Sequence, residues 1–180
     1  MSVTNFNGKV AAITGAGSGI GRSLAVMLTK EGCNVAISDL DSYGLEQTRE
    51  MLSPASKVSL HVVDVADRMQ METFASAANA EHGGVNMIFN NAGVSVTGLA
   101  ENMPYEDMEW LMGINFWGVV YGCKSFLPYL REANEAAIIN ISSIFGSIAV
   151  PSQSAYNASK FAVKGYTYAL RQELVDSQIG

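Results

Sequence analysis

Short apolar runs alternate along the chain with longer segments of helical pattern. Short apolar runs bounded by turn residues predict buried strands, and the longer segments predict helices. Alternation of this kind, with short connections, is typical of a parallel sheet that has helices on both faces. The predicted strands fall near 9–14, 34–38, 57–63, 85–90 and 136–142, and the predicted helices near 19–31, 42–52, 67–82, 104–132 and 154–177.

The crossover rule gives this α/β, doubly wound (Rossmann-like) sheet the strand order 3-2-1-4-5. A cofactor is expected across the carboxyl ends of the first and fourth strands, where the strand order reverses. The chain has 180 residues, is 48% hydrophobic and shows no repeat or linker. We therefore expect a single nucleotide-binding domain over residues 1–180.

A glycine-rich turn joins the first predicted strand to the first predicted helix. The segment Thr14–Gly21 places Gly15, Gly19 and Gly21 between an apolar strand and a good helix former. Glycines let the backbone approach a pyrophosphate, and the helix N-terminus presents free N–H groups to it. The turn therefore predicts a cradle for a dinucleotide, and the alternative is a flexible glycine turn.

An acidic residue, Asp39, ends the second predicted strand about 20 positions past the glycines. A carboxylate there accepts hydrogen bonds from the adenosine ribose hydroxyls and repels a 2′-phosphate. No lysine or arginine occurs from Cys33 to Thr48, and Ser18 is not basic. These residues favour NAD over NADP, whereas the alternative for Asp39 is a solvated turn residue.

Tyr156 and Lys160 lie four positions apart, which is one turn of a helix, so their side chains share a face. An ammonium beside a phenol favours the phenolate and lowers its pKa from about 10 toward the range of a general base. Ser143 follows the fifth predicted strand and could add a hydroxyl to the same site. Alone, the Tyr–Lys spacing is weak evidence, because an ordinary pair on a helix surface has it too.

Together these motifs resemble the short-chain dehydrogenase/reductase family, in the sub-group with a Thr-Gly-x-x-x-Gly-x-Gly loop. The matching segments follow the family order over almost the whole chain and are Thr14 to Gly21, Asp39, Asp64-Val65, Asn90 to Gly93, Asn115, Ile139 to Ser143, and Tyr156 to Lys160. The resemblance implies an oxidoreductase that transfers a hydride between NAD and a secondary alcohol or ketone.

The resemblance also assigns roles to single residues. Tyr156 is the expected general acid/base, Lys160 lowers its pKa and binds the nicotinamide ribose, and Ser143 bonds the substrate oxygen. Asn115 is expected to hold a water in a proton relay, and Asn90 to line the adenosine side of the cleft. Besides Tyr156 and Lys160, the implied cofactor residues are Thr14, Gly15, Ser18, Gly19, Ile20, Gly21, Asp39, Asp64, Val65, Asn91, Ala92 and Gly93.

Several of these residues have an ordinary alternative role. Asn115 could pack within its helix, Asp64 could start a helix, and Asn90 could form a turn. Ser142 competes with Ser143 for the serine role, although the spacing to Tyr156 favours Ser143.

Composition excludes other classes of function. A net charge of −6 without basic runs argues against nucleic acid as a partner. No apolar stretch is long enough to span a membrane, and the N-terminus lacks the features of a secretory signal. Cys33 and Cys123 fit reduced thiols in the cytoplasm. His61 and His82 are far apart and lack cysteine partners, so we expect no metal site.

The chain ends soon after the segment that carries Tyr156 and Lys160, where the family pattern continues with a further strand, a substrate loop, a helix and a last strand. We therefore expect the later strands to be missing and the fifth strand to be an exposed edge. Relatives in the family pair through the two long helices, which implies a homo-oligomer, either a dimer or a tetramer. The loop residues Ser95–Leu99 and Ile144–Ser152 are mostly small or apolar and hint at a lipophilic substrate.

Three alternative functions remain open at this point. The first is a dinucleotide-binding fragment or regulator without catalysis. The second is an NAD-dependent epimerase or dehydratase of nucleotide sugars, which resembles a different glycine spacing. The third is an enoyl reductase, in which the gap between tyrosine and lysine is usually wider.

Overall fold

Five short apolar strands form one parallel sheet in the computed structural model, which describes residues 3–180. The strands are β1 Val10–Thr14, β2 Asn34–Asp39, β3 Val58–Val62, β4 Met87–Asn90 and β5 Ala137–Asn140. Their order is β3-β2-β1-β4-β5, which confirms the predicted doubly wound arrangement. The central strand β1 is buried along its whole length, as expected for a strand covered on both faces.

Helices cover both faces of this sheet. They are α1 Gly19–Lys30, α2 Ser42–Glu50, α3 Arg68–His82, α4 Tyr105–Met112, α5 Gly118–Glu132 and α6 Ser154–Glu173. Successive residues of a strand point to opposite faces, so Ala11 and Ile13 pack in one core while Ala12 packs in the other. The second core is closed by Phe74 and Phe126, whose rings meet edge to face.

The helix predicted over 104–132 is not continuous. A π-helical segment, Gly113–Trp117, separates α4 from α5. A π-turn adds one residue to a helical turn and occurs frequently at functional sites. The helix predicted over 154–177 is also shorter, because α6 ends at Glu173.

The expected exposed edge at β5 is corrected by the structure. Ile179 forms a parallel bridge with Ala136, and the Ile138 N–H donates to the Gly180 carbonyl at 3.0 Å. Residues at the end of the chain therefore pair with β5 on the side away from β4. A groove of about 780 Å³ lies between this edge and α6.

The expectation that the two histidines lie far apart is wrong. His61 on β3 and His82 on α3 both bond the Ser59 hydroxyl, with Nε2 to Oγ distances of 2.8 and 2.9 Å. Burial lowers the pKa of both imidazoles. Across residues 3–180 no group of three or more ligating side chains is placed to hold a metal ion. In the same range, no helix has both the length and the apolar character needed to cross a membrane.

Candidate active site

The glycine turn after β1 has a backbone shape that side chains would obstruct. Gly15 has a φ of 65°, in the left-handed region, and a β-carbon there would lie 2.8 Å from the Ala92 Cα. Gly21, in the first turn of α1, packs directly against the Gly15 carbonyl, so a side chain would overlap it. The turn is therefore compact and leaves the start of α1 open to an anion.

Side chains from α1 and α2 support this turn from behind. The Arg22 guanidinium donates to the Gly17 carbonyl, and its Nε donates to the Thr48 hydroxyl at 2.9 Å. The Thr48 hydroxyl in turn lies 2.8 Å from the Ala16 carbonyl. No motif in the sequence indicates this role for Arg22 and Thr48, because no local pattern shows that α2 contacts the turn.

Asp39 lies at the carboxyl end of β2, beside the glycine turn. Its Oδ2 accepts a hydrogen bond from the Gly17 N–H at 2.8 Å, and its Oδ1 accepts one from the Asp41 N–H at 3.0 Å. These bonds fix the orientation of the carboxylate. Its remaining acceptor capacity can meet a free ribose diol, whereas a phosphate there would face a like charge.

A cleft of about 360 Å³ extends from the glycine turn across the carboxyl ends of β1 and β4. The predicted cofactor residues that line it are Gly15, Ser18, Gly19, Ile20, Asp39, Asp64, Val65, Asn91, Ala92 and Gly93. Four apolar residues that the motifs did not include line it as well, and these are Leu40, Val63, Val94 and Ile114. The cleft therefore combines a glycine turn and a carboxylate with apolar walls that suit a planar base.

Thr14 and Gly21 do not line this cleft but shape it from behind. The Thr14 hydroxyl accepts from the N–H groups of Asn91 and Ala92 at 3.0 and 3.1 Å. The Asn91 amide donates to the Thr14 carbonyl at 2.9 Å. These bonds join the ends of β1 and β4, so the floor of the cleft is held from both sides.

The expectation that Asn90 lines the cleft is wrong. Its side chain is buried between α5 and β5, where its Nδ2 donates to the Oδ1 of Asn140 on β5 at 2.8 Å. Gly122 leaves the space that its amide occupies. Neighbouring residues of an extended chain point to opposite sides, so Asn90 and Asn91 cannot both face the cleft.

Tyr156 and Lys160 lie side by side near the start of α6, as their spacing predicts. The Lys160 Nζ is 5.6 Å from the centroid of the Tyr156 ring and donates to the Ile141 carbonyl at 2.9 Å. Lys160 is only 4% exposed, and this burial lowers the pKa of its ammonium. Tyr156 is half-buried, with the Phe145 ring packed edge-on at 6.0 Å.

Asn115 lies in the π-helical segment and is fully buried. Its amide accepts from the Val94 N–H at 2.8 Å and donates to the Val94 carbonyl at 2.9 Å. A β-carbon built on Gly93 would be 3.3 Å from the Asn115 Oδ1 and 3.6 Å from the Lys160 Nζ. Gly93, Asn115 and Lys160 therefore meet at one point, where the cleft adjoins the Tyr–Lys pair.

The two serines after β5 have different surroundings. The Ser142 hydroxyl donates to the Lys160 carbonyl at 3.2 Å. The Ser143 hydroxyl accepts from the Phe145 N–H at 3.2 Å, which leaves its own proton free to donate. The geometry therefore favours Ser143 as the hydroxyl that can bond a substrate oxygen.

A model of the short chain dehydrogenase family matches residues 9–180, and the chain belongs to this family. The chain is 46% identical to SadH of Mycobacterium tuberculosis over 174 residues, which cover 96% of this chain and 63% of SadH. It is 39% identical over 166 residues to a 3-ketodihydrosphingosine reductase of Bacteroides thetaiotaomicron, covering 92% of this chain and 58% of the reductase.

A solved structure that resembles this chain belongs to the same family. A short chain dehydrogenase/reductase from Burkholderia phymatum, crystallised in complex with NAD, superposes with a TM-score of 0.95 at 36% identity. The match covers 99% of this chain and 65% of the Burkholderia chain. The chain thus spans about three fifths of the length of the curated relatives described above.

Proposed function

We propose that the protein is an oxidoreductase that interconverts a secondary alcohol and a ketone, with NAD as cofactor and Tyr156 as general acid/base. The observation that carries the proposal is the buried ammonium of Lys160 beside the Tyr156 ring, next to a cleft that ends at Asp39. The crystal structure of the Burkholderia relative with NAD supports the choice of cofactor.

The residues of the cleft fit a nicotinamide dinucleotide. The turn from Gly15 to Gly21 would hold the pyrophosphate, because its close packing leaves room for backbone contacts alone. Asp39 would bind the adenosine ribose, and its charge favours NAD over NADP. Lys160 would bind the nicotinamide ribose. When bound, NAD supplies the hydride acceptor for an alcohol, and its reduced form supplies the donor for a ketone.

The protein's own groups would handle the proton. Ser143 would donate a hydrogen bond to the substrate oxygen and stabilise charge that develops there. Tyr156 would take the hydroxyl proton of the alcohol, or return a proton to the ketone oxygen. The Lys160 ammonium, 5.6 Å from the centroid of the Tyr156 ring, would place a positive charge beside the phenol during this proton transfer. Asn115 would connect this lysine to solvent through a bound water.

The substrate proposed is lipophilic. Leu99 and Ile144, on the loops that follow β4 and β5, are 56% and 69% exposed, which is high for apolar residues. The Bacteroides relative is named as a reductase of 3-ketodihydrosphingosine, which also supports a ketone or the corresponding alcohol as substrate. We also propose a homo-oligomer, because Trp117, the last residue of the π-helical segment before α5, is 48% exposed and stacks on Tyr121.

The experiment that tests catalysis is the change Tyr156→Phe, followed by NADH formation with a panel of secondary alcohols. We expect a loss of several orders of magnitude in kcat, with NAD affinity retained, because only the phenolic oxygen is removed. Tyr168→Phe is the matched control. Tyr168 also has a lysine close to its ring, Lys164 at 5.8 Å on the same helix, but it is exposed.

Two outcomes would contradict the proposal. Wild-type turnover in Tyr156→Phe would remove Tyr156 from the role. Binding of NAD without turnover of any alcohol or ketone would favour the non-catalytic dinucleotide-binding alternative.

A further inference from the structure

The loop after β4 and the loop after β5 are joined mainly by the side chain of Gln153, the last residue before α6. The loop after β4 is extended here, so Ser95 and Thr97, two positions apart, face the same side. The Gln153 Nε2 donates to the Thr97 hydroxyl at 2.7 Å, and its Oε1 accepts from the Ser95 hydroxyl at 3.2 Å. The Gly98 N–H adds one backbone bond, to the Ser152 carbonyl at 3.0 Å.

The backbone is strained at this junction. Ser152 has a φ of 63° and is the one non-glycine residue between positions 3 and 180 with a positive φ. Such a conformation persists only where surrounding contacts enforce it, and it is concentrated at ligand sites. The hydrogen bonds of Gln153 and Gly98 are the contacts that flank Ser152.

The first turn of α6 also holds the loop after β5, through the side chain of Asn157. The Asn157 Nδ2 donates to the carbonyls of Phe145 and Ile148, both at 2.7 Å, and its Oδ1 accepts from the Val150 N–H at 3.1 Å. In the sequence, Tyr156 therefore lies between Gln153, which holds the loop after β4, and Asn157, which holds the loop after β5. The exposed apolar residues described above, Leu99 and Ile144, belong to these two loops.

We propose that Gln153 is a specificity-determining residue, because its amide joins the loop at Ser95 and Thr97 to the start of α6 and so sets the width of the substrate entrance. The inference rests on the proposed function, since it concerns the alcohol or ketone that reaches Tyr156. Asn157 is buried and cannot be altered without disturbing its loop, whereas the side chain of Gln153 bonds only exposed hydroxyls. A substitution at Gln153 should therefore alter the selectivity between alcohol substrates without unfolding the site.

The test compares kcat/KM for propan-2-ol and for 1-cyclohexylethanol in wild type and in Gln153→Met, which keeps the side-chain length but loses both hydrogen bonds. We expect the ratio to move about fivefold toward the bulky alcohol, mainly through KM, because the short bond to Thr97 contributes about one net hydrogen bond and the longer bond to Ser95 adds little. Thr97→Val should give a similar shift, and the double variant should add little to it. Gln153→Glu should retain the wild-type ratio, because both hydroxyls can donate to a carboxylate.

A second readout reports on the loops themselves. Amide hydrogen exchange at Gly98 should be faster in Gln153→Met than in wild type, while exchange at Val94, bonded to Asn115, should be unchanged. A selectivity ratio that does not change in Gln153→Met overturns the proposal and leaves the proposed function standing. If the wild type binds NAD but oxidises neither alcohol, the proposed function fails instead. In that case unchanged exchange at Gly98 overturns the role of Gln153 in joining the loops, and faster exchange supports it.

Discussion

Replacement of Gly21 by alanine tests the glycine turn with a single methyl group. The added carbon would overlap the Gly15 carbonyl and lie 2.7 Å from the Asn91 amide nitrogen. Overpacking of this kind costs up to about 3 kcal/mol, and the better helix propensity of alanine offsets about 1 kcal/mol. For a chain of this length, a net loss of about 2 kcal/mol lowers the melting temperature by about 4–8 °C.

The effect on NAD should be larger than the effect on stability. At 100 times its Kd, NAD adds about 2.7 kcal/mol to the wild type, a rise of about 5–10 °C in Tm. If the displaced turn weakens binding about 100-fold, the same NAD concentration adds only about 0.4 kcal/mol. Thermal melting with and without NAD measures both quantities.

Gly165→Ala is the matched control for this change. Gly165 lies on the exposed side of α6, and a β-carbon there would meet nothing within 4 Å. We expect this variant to gain about 1 kcal/mol from helix propensity and to keep the full NAD shift. A full NAD shift in Gly21→Ala as well would refute the reasoning that this turn holds the dinucleotide.

Three further predictions follow from the charges and surfaces of the structure. Asp39→Asn removes a negative charge but keeps an acceptor for the Gly17 N–H. The ratio of NADP affinity to NAD affinity, measured by titration calorimetry, should therefore rise about tenfold or more. The control variant Asp41→Asn should leave this ratio unchanged. Burial lowers the pKa of His61 and His82 below 6.5, so the unfolded chain binds more protons and stability should fall as the pH drops below about 6.5. Urea midpoints measure this slope, and a slope that persists when both His61 and His82 are replaced by glutamine would contradict this origin. If the proposed homo-oligomer forms through the exposed Trp117, Trp117→Glu should shift sedimentation velocity toward the monomer, and an unchanged profile would contradict a role for Trp117 in it.

The fold was largely predictable because each of its strands is set by a short stretch of sequence. Each strand is a short apolar run, and the handedness of crossovers then permits few strand orders. The break in the helix between α4 and α5 was not predictable in this way. It lies where Asn115 bonds both backbone groups of Val94, and that contact depends on the folded chain.

The site was predictable to the extent that its residues are contiguous in the sequence. Two parts of the site are each formed by one short stretch of sequence, so the spacing of their residues predicts how the side chains are arranged. These are the turn from Gly15 to Gly21 and the pair Tyr156 and Lys160. Leu40 and Ile114 reach the cleft from separate elements, and no spacing relates them. Asn90 belongs to the motif but faces α5, because neighbouring residues of an extended chain point to opposite sides and Asn91 faces the cleft.

The π-helical segment Gly113–Trp117 holds one residue more than a regular helical turn would hold at this point. Deleting one residue here would allow a continuous α-helix, in which α4 and α5 keep their orientation and Leu111 stays in the core. The deletion would instead remove the bulge that brings Asn115 to the backbone of Val94. It should therefore damage the candidate site more than the fold.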